Sequence, residues 1–229
     1  MYKTFPNIGF IEKKLNKETI KILKSYVKNK QDKFNYSLAG NINSSFNIKD
    51  KNNWFYNNII VPTIIEYQKN SIIDLDPKIL TKNCVFVLNA FWVNFQKKHE
   101  FNPIHKHNGV FSFVIWLDIP VNFKKESKLN FVNHSNSPKA SCFEFVYTNT
   151  LGQIETYRYQ LGSNYNGTML FFPSKLNHVV YPFYTSNKNR ISISGNVALD
   201  PQKIIDKKKD RFSLQNKIGD YTAWGWPSV

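Results

Sequence analysis

The sequence predicts a mainly β (α+β) protein, a β-sandwich or jelly-roll barrel buttressed by N-terminal helices. Two observations carry that prediction. From Cys84 onward about eight short segments rich in Val, Ile, Phe, Tyr, Trp and Ser are separated by turn signals. Before them, two stretches place their apolar residues at helical spacing. A third pattern, two histidines just ahead of a long apolar run, directs attention to one region of this β-rich part.

Residues 1–15 read as an extended entry segment. Asn16 is placed to cap a helix reaching about Asn29, with Glu18 in its first turn and Ile20, Leu23, Tyr26 and Val27 on one face. A second helical pattern covers about residues 52–69, with Trp54, Phe55, Ile59, Ile60, Ile64, Ile65 and Tyr67 as its apolar set. Pro62 should kink or divide it. Both greasy faces need a sheet to cover.

The predicted strands are 85–96, 110–119, 129–133, 142–148, 154–161, 168–172, 178–182 and 190–199. Turns rich in Asn, Gly and Ser at 149–152, 161–167 and 186–189 separate them. The tail carries a lysine run, 207–209, read as a solvated loop, and ends in Trp224-Gly225-Trp226-Pro227. Those aromatics are expected to dock on the domain or on a partner chain, which would make a homo-oligomer. The chain is read as one domain, 1–229, with helical support in 1–83, the β core in 84–200 and an extension in 201–229.

The 229 residues suffice to bury a core. No apolar run approaches the roughly 18–20 residues of a membrane span, and the first six residues lack an apolar leader, so a cytoplasmic location is expected. Cys84 and Cys142 stand far apart and are read as buried thiols rather than a disulfide framework. The net charge of +15 invites a nucleic-acid reading. Only three of the 31 basic residues are arginines, however, so a solvated lysine surface is favoured over specific phosphate or base readout.

The region of interest is Asn102 to Pro120. His105 and His107 lie two residues apart, so on an extended strand both imidazoles would project from one face. His178, after the Phe172-Pro173-Ser174 turn, offers a third nitrogen ligand. Twelve residues later Arg190, Ser192 and Ser194 share one strand face, where a guanidinium and a hydroxyl could receive a carboxylate. A buried arginine is costly unless an anion meets it. His99 and His134 are set aside as ordinary surface or structural histidines. Phe91, Trp92, Phe111, Phe113, Trp116, Phe171 and Phe172 are read as core, some of them lining the pocket.

The ordered motifs Trp92-Val93-Asn94, His105-Lys106-His107, Phe172-Pro173-Ser174, His178-Val179-Val180 and Arg190 through Asn196 resemble the 2-oxoglutarate and Fe(II)-dependent oxygenases. The branch they look most like is the prolyl-hydroxylase-like proteins common in phage and bacterial genomes. The resemblance covers about residues 84–200 and implies a double-stranded β-helix, cupin-like core. It also implies Fe(II) held by His105 and His178, and 2-oxoglutarate clamped through Arg190 with Ser192 beside it, with Asn94 and Gln96 as further cosubstrate contacts. The implied reaction decarboxylates 2-oxoglutarate to succinate and uses O2 to oxidise a prime substrate, for which a peptide side chain is favoured over a nucleobase or metabolite.

One position departs from the pattern. The superfamily's motif is H-x-D or H-x-E, and His107 stands in the carboxylate's place. Its imidazole either completes the metal site or stands behind it. Two other readings compete: a three-histidine zinc or cupin-like enzyme without a ketoacid, and a non-enzymatic basic binding module of a phage.

Overall fold

A computed structural model describes residues 5–71 and 84–204, with side chains through residue 200. The expected docking of the aromatic tail and the 207–209 lysine run lie outside these residues.

The chain opens with a short strand, β1 (Ile11–Lys14), and a helix, α1 (Lys17–Lys28). Asn16 caps the helix as expected, its side chain accepting from the Thr19 backbone N–H. After β2 (Ser45–Asn47), Asp50 receives the backbone N–H groups of Phe55 and Tyr56 at 2.9 and 2.8 Å. The second apolar pattern is divided, with a π-helical turn at Tyr56–Ile60 running into α2 (Val61–Asn70). Pro62, which has no N–H to donate, stands at that junction.

The β core follows as β3 (Cys84–Gln96), β4 (Asn102–His105), β5 (Phe111–Asp118), β6 (Cys142–Thr148), β7 (Ile154–Gln160), β8 (Thr168–Pro173), β9 (Asn177–Val180) and β10 (Arg190–Ile204). They form two antiparallel sheets, a six-stranded one in the order β1-β8-β5-β10-β3-β2 and a four-stranded one in the order β4-β9-β6-β7. This is the jelly-roll arrangement, mainly β with a few helices. The predicted strand at 129–133 is absent. That segment follows a short helix, α3 (Phe123–Glu126), as a series of turns, with Val132 N donating to Leu129 O at 2.8 Å. Successive backbone turns, Leu129 N to Glu126 O and Asn133 N to Leu129 O, take up its N–H groups in place of a ladder.

Alternation along each strand sorts side chains between two cores. Phe111, Phe113 and Ile115 of β5, Met169 and Phe171 of β8, and Ile193 and Val197 of β10 face the helices and pack with Leu23, Phe55, Ile60 and Ile64. Their neighbours Val114, Trp116, Leu170 and Phe172 turn inward and meet Phe143, Phe145 and Tyr159 of the smaller sheet. Gly195 is required on the helix side, because a Cβ there would sit 2.5 Å from the Phe113 ring. Phe113 in turn packs on Phe55, ring centroids 5.6 Å apart. Both cysteines are buried, as expected.

Glu126 is fully buried, and its carboxylate accepts from the Tyr184 and Thr185 backbone N–H groups, 2.9 Å each, and from the Thr185 hydroxyl. It fixes the loop that leads into β10. Glu126→Ala orphans three donors at once, so urea unfolding should show a loss of about 3 kcal/mol. A loss below about 1 kcal/mol would mean that water replaces the carboxylate there.

Candidate metal centre

His105 ends β4 and His178 lies in β9, and the antiparallel pairing of these strands sets the two residues directly opposite one another. Their ring centroids are 4.2 Å apart. His107 is not on the strand with His105, contrary to the expectation of one shared strand. It sits in the connection from the small sheet to β5, and its ring lies 5.0 Å from each of the other two. The physical reason is that β4 must stop where the chain leaves one sheet for the other. One ring nitrogen from each histidine comes within 4.8 Å of the others, a group that could hold a metal ion.

What places His107 is Ser174, a fully buried residue of the F-P-S turn. Its carbonyl accepts the His107 N–H at 2.8 Å, its own N–H donates to Val110 O at 2.9 Å, and its hydroxyl donates to Gly109 O. Gly109 has φ +97°, and a Cβ there would meet Val197 O at 2.6 Å, so this tight passage needs glycine. The sequence signal was the serine after proline in the motif, whose role could be seen only once the two loops lay together.

Two of the imidazoles are held in a form that could ligate a metal. Nδ1 of His105 is 2.7 Å from Pro103 O and Nδ1 of His178 is 3.0 Å from Leu176 O, contacts that put the proton on Nδ1 and leave the Nε2 lone pair available. Phe143 lies against His178 with centroids 5.6 Å apart, and Trp92 approaches His107 at 5.8 Å. Burial lowers the pKa of all three, with no carboxylate to counter it. His107 is pushed to about 4 by burial and then by His105, and His178 well below the usual value by burial and by both neighbours.

The three histidines line one cavity of about 230 Å³ with Asn94, Gln96, Arg190, Ser192 and Ser194. Every candidate ligand and cosubstrate residue singled out in the sequence therefore lines one cavity. Register explains it, since Arg190, Ser192 and Ser194 of β10 pair with Gln96, Asn94 and Trp92 of β3, polar face inward. Trp92, Phe113, Trp116 and Phe172 also reach the cavity, whereas Phe91, Phe111 and Phe171 belong to the helix-side core.

Arg190 is 1% exposed. Its Nε and Nη2 donate to Gln96 Oε1 at 3.0 and 2.8 Å, Nη2 also to Tyr181 O at 2.8 Å, and Nη1 only weakly to Ser141 Oγ at 3.5 Å. The Phe183 ring covers it at 5.3 Å. Among the described residues no carboxylate lies within ion-pair distance of it. Burial pushes its pKa down to about 10. Gln96 is spent on this guanidinium and on Glu100 O, to which its Nε2 donates at 2.5 Å. Asn94 accepts from Ser45 Oγ at 2.7 Å, and its Nδ2 has no partner among the described residues.

This donor set fits 2-oxoglutarate beside a metal: three neutral nitrogen ligands, and in the same cavity a buried cation and hydroxyls without an anion. Residues 90–196 match the model of the family described as "Putative 2OG-Fe(II) oxygenase". The matched residues hold the motifs that resemble the 2-oxoglutarate/Fe(II) oxygenases. Fe(II) and 2-oxoglutarate are the cofactors of these oxygenases, with O2 as the other cosubstrate. Among solved structures, a Pseudomonas putida prolyl-4-hydroxylase is similar at 11% sequence identity and TM-score 0.47, over 82% of this chain and 91% of that one. No curated protein matches the sequence. Among the described residues no helix is long and apolar enough to cross a membrane.

Because the folded site keeps its histidines neutral, the metal-free protein binds fewer protons than the unfolded chain below about pH 6.5. The stability linked to these groups is full above that pH and is lost as pH falls through their lowered values, about 4 for His107. Thermal unfolding should therefore show a midpoint that drops between about pH 6.5 and 5, before carboxylates titrate. The drop should be smaller in His178→Leu, and an equal drop in both proteins would remove these histidines as its cause.

Proposed function

We propose that the chain is a hydroxylase-type oxygenase with residues 84–200 as its catalytic core. In this reading His105, His107 and His178 are the metal ligands, and Arg190 receives the distal carboxylate of 2-oxoglutarate. The observation that carries it is Arg190, a buried guanidinium with only neutral partners, in the cavity of the three imidazoles. Leaving such a charge unpaired is costly, and a bound carboxylate offsets the cost.

Fe(II) bound there would supply the activation of O2 coupled to decarboxylation of 2-oxoglutarate. The protein's contribution is positioning. Pro103 O and Leu176 O hold two imidazoles in the ligating tautomer, and Ser174 holds the loop of the third. Gln96 orients the guanidinium, so its role is support of the clamp rather than direct contact with the cosubstrate. Ser192 and Asn94, paired across β10 and β3, complete the cosubstrate pocket as additional donors. Phe143 and Phe172 beside His178 keep water from the metal's surroundings. The prime substrate is an unidentified molecule, a peptide side chain being favoured.

Succinate release that depends on Fe(II), O2 and 2-oxoglutarate is the primary test, with anaerobic Fe(II) and 2-oxoglutarate expected to give a visible charge-transfer band. Tight zinc with no response to the ketoacid would instead identify a zinc enzyme. Arg190→Lys keeps a cation but loses the planar fork. It should weaken 2-oxoglutarate binding roughly a hundredfold while metal affinity is retained. Equal cosubstrate affinity in the two proteins would sink the role of Arg190.

Position 107 has its own test. His107→Ala should lower Fe(II) affinity at least about tenfold, and His107→Asp, which restores a carboxylate, should recover it. Metal affinity unchanged in both would place His107 behind the site.

A further inference from the structure

Away from the metal cavity, α1 carries a row of lysines. Lys17, Lys21, Lys24 and Lys28 fall at i, i+4, i+7 and i+11, one face of the helix. All four are exposed, and among the described residues none has an ion-pair or hydrogen-bond partner. They border a groove of about 720 Å³ between α1 and the 166–167 turn, whose lining includes no acidic residue. At the head of the row Lys14 is already committed, its Nζ donating to Asn164 O at 2.9 Å and to Asn166 O at 2.5 Å. Like charges four residues apart oppose helix formation, so this row weakens the helix unless a polyanion lies along it.

We infer that this lysine face binds the phosphate backbone of a nucleic acid without reading its sequence. The row spans about 16 Å with a cation roughly every turn, which suits a linear array of repeated charges. Lysines act there as point charges, adequate for phosphate contact and unsuited to bidentate base readout. A bilayer suits the face less well. An amphipathic helix binds lipid by inserting its apolar side, and here Leu23 and Tyr26 are buried in the protein core. The net charge of +15 adds long-range attraction for any polyanion, and the groove decides where it settles. This binding is independent of the oxygenase reading.

The test measures retention of a single-stranded and a duplex oligonucleotide of mixed sequence against salt. Four phosphates neutralised predict that affinity falls about 50-fold for the single strand and about 150-fold for the duplex between about 50 and 200 mM salt. Replacing all four lysines by glutamine (Lys17→Gln, Lys21→Gln, Lys24→Gln and Lys28→Gln) preserves helix propensity. It should remove most of this salt dependence and leave succinate formation unchanged. The pair Lys21→Gln and Lys24→Gln should remove about half of it, which keeps the test open if the fourfold variant folds poorly. Lys124→Gln with Lys125→Gln, on the exposed side of α3, should leave retention as in the unaltered protein. Wild-type affinity in the fourfold variant or in the Lys21/Lys24 pair, no retention of either oligonucleotide at low salt, or preference for phosphatidylserine vesicles over both would overturn the inference.

Discussion

A fully desolvated guanidinium with no carboxylate beside it is the constraint around which the β core is arranged. Burying Arg190 costs several kcal/mol unless its donors are met and its charge is answered. The protein meets the donors with neutral oxygens only, from Gln96, Tyr181 and Ser141. Gln96 is able to do so because it faces Arg190 across the β10–β3 ladder. Ser141 is held in a left-handed conformation, φ +47°, beside β6, and Phe183 closes the remaining side. Glu126 reaches this wall indirectly, by tying down residues 184 and 185 next to Phe183. No carboxylate forms an ion pair with Arg190 among the described residues, and the buried Glu126 acts on its charge only from a distance.

The metal end of the cavity uses the opposite electrostatics. Three imidazoles are crowded together without an acid, so burial and mutual repulsion keep them neutral. Neutral nitrogen is the form that binds a metal, and two of the three have their tautomer fixed by backbone carbonyls. His107 stands where the family's motif has a carboxylate, so this corner of the cavity carries a neutral imidazole in place of a negative charge.

Much of this was legible in the residues. The histidines, the arginine and the serines are chemically distinctive and stand at strand ends, and period-two alternation gave their faces. The cap at Asn16 and the division at Pro62 were equally readable, because both depend on local backbone chemistry. The segment 129–133 misled because a short apolar run has no strand identity of its own. Its backbone N–H groups are taken up by local turns that continue from α3. The placement of His105 and His107 misled for a similar reason, since spacing alone does not show where a chain changes sheets.

By itself the sequence determined the fold class, the three histidines and the arginine as candidates, since each follows from side-chain chemistry and local periodicity. Tertiary structure alone decided that His178 stands opposite His105 and that Ser174 carries the loop of His107. It also decided that Gln96 serves the arginine before any ligand, and that four lysines line an unpaired groove. These are relations between segments many residues apart, and they exist only when strand register and burial bring the segments together.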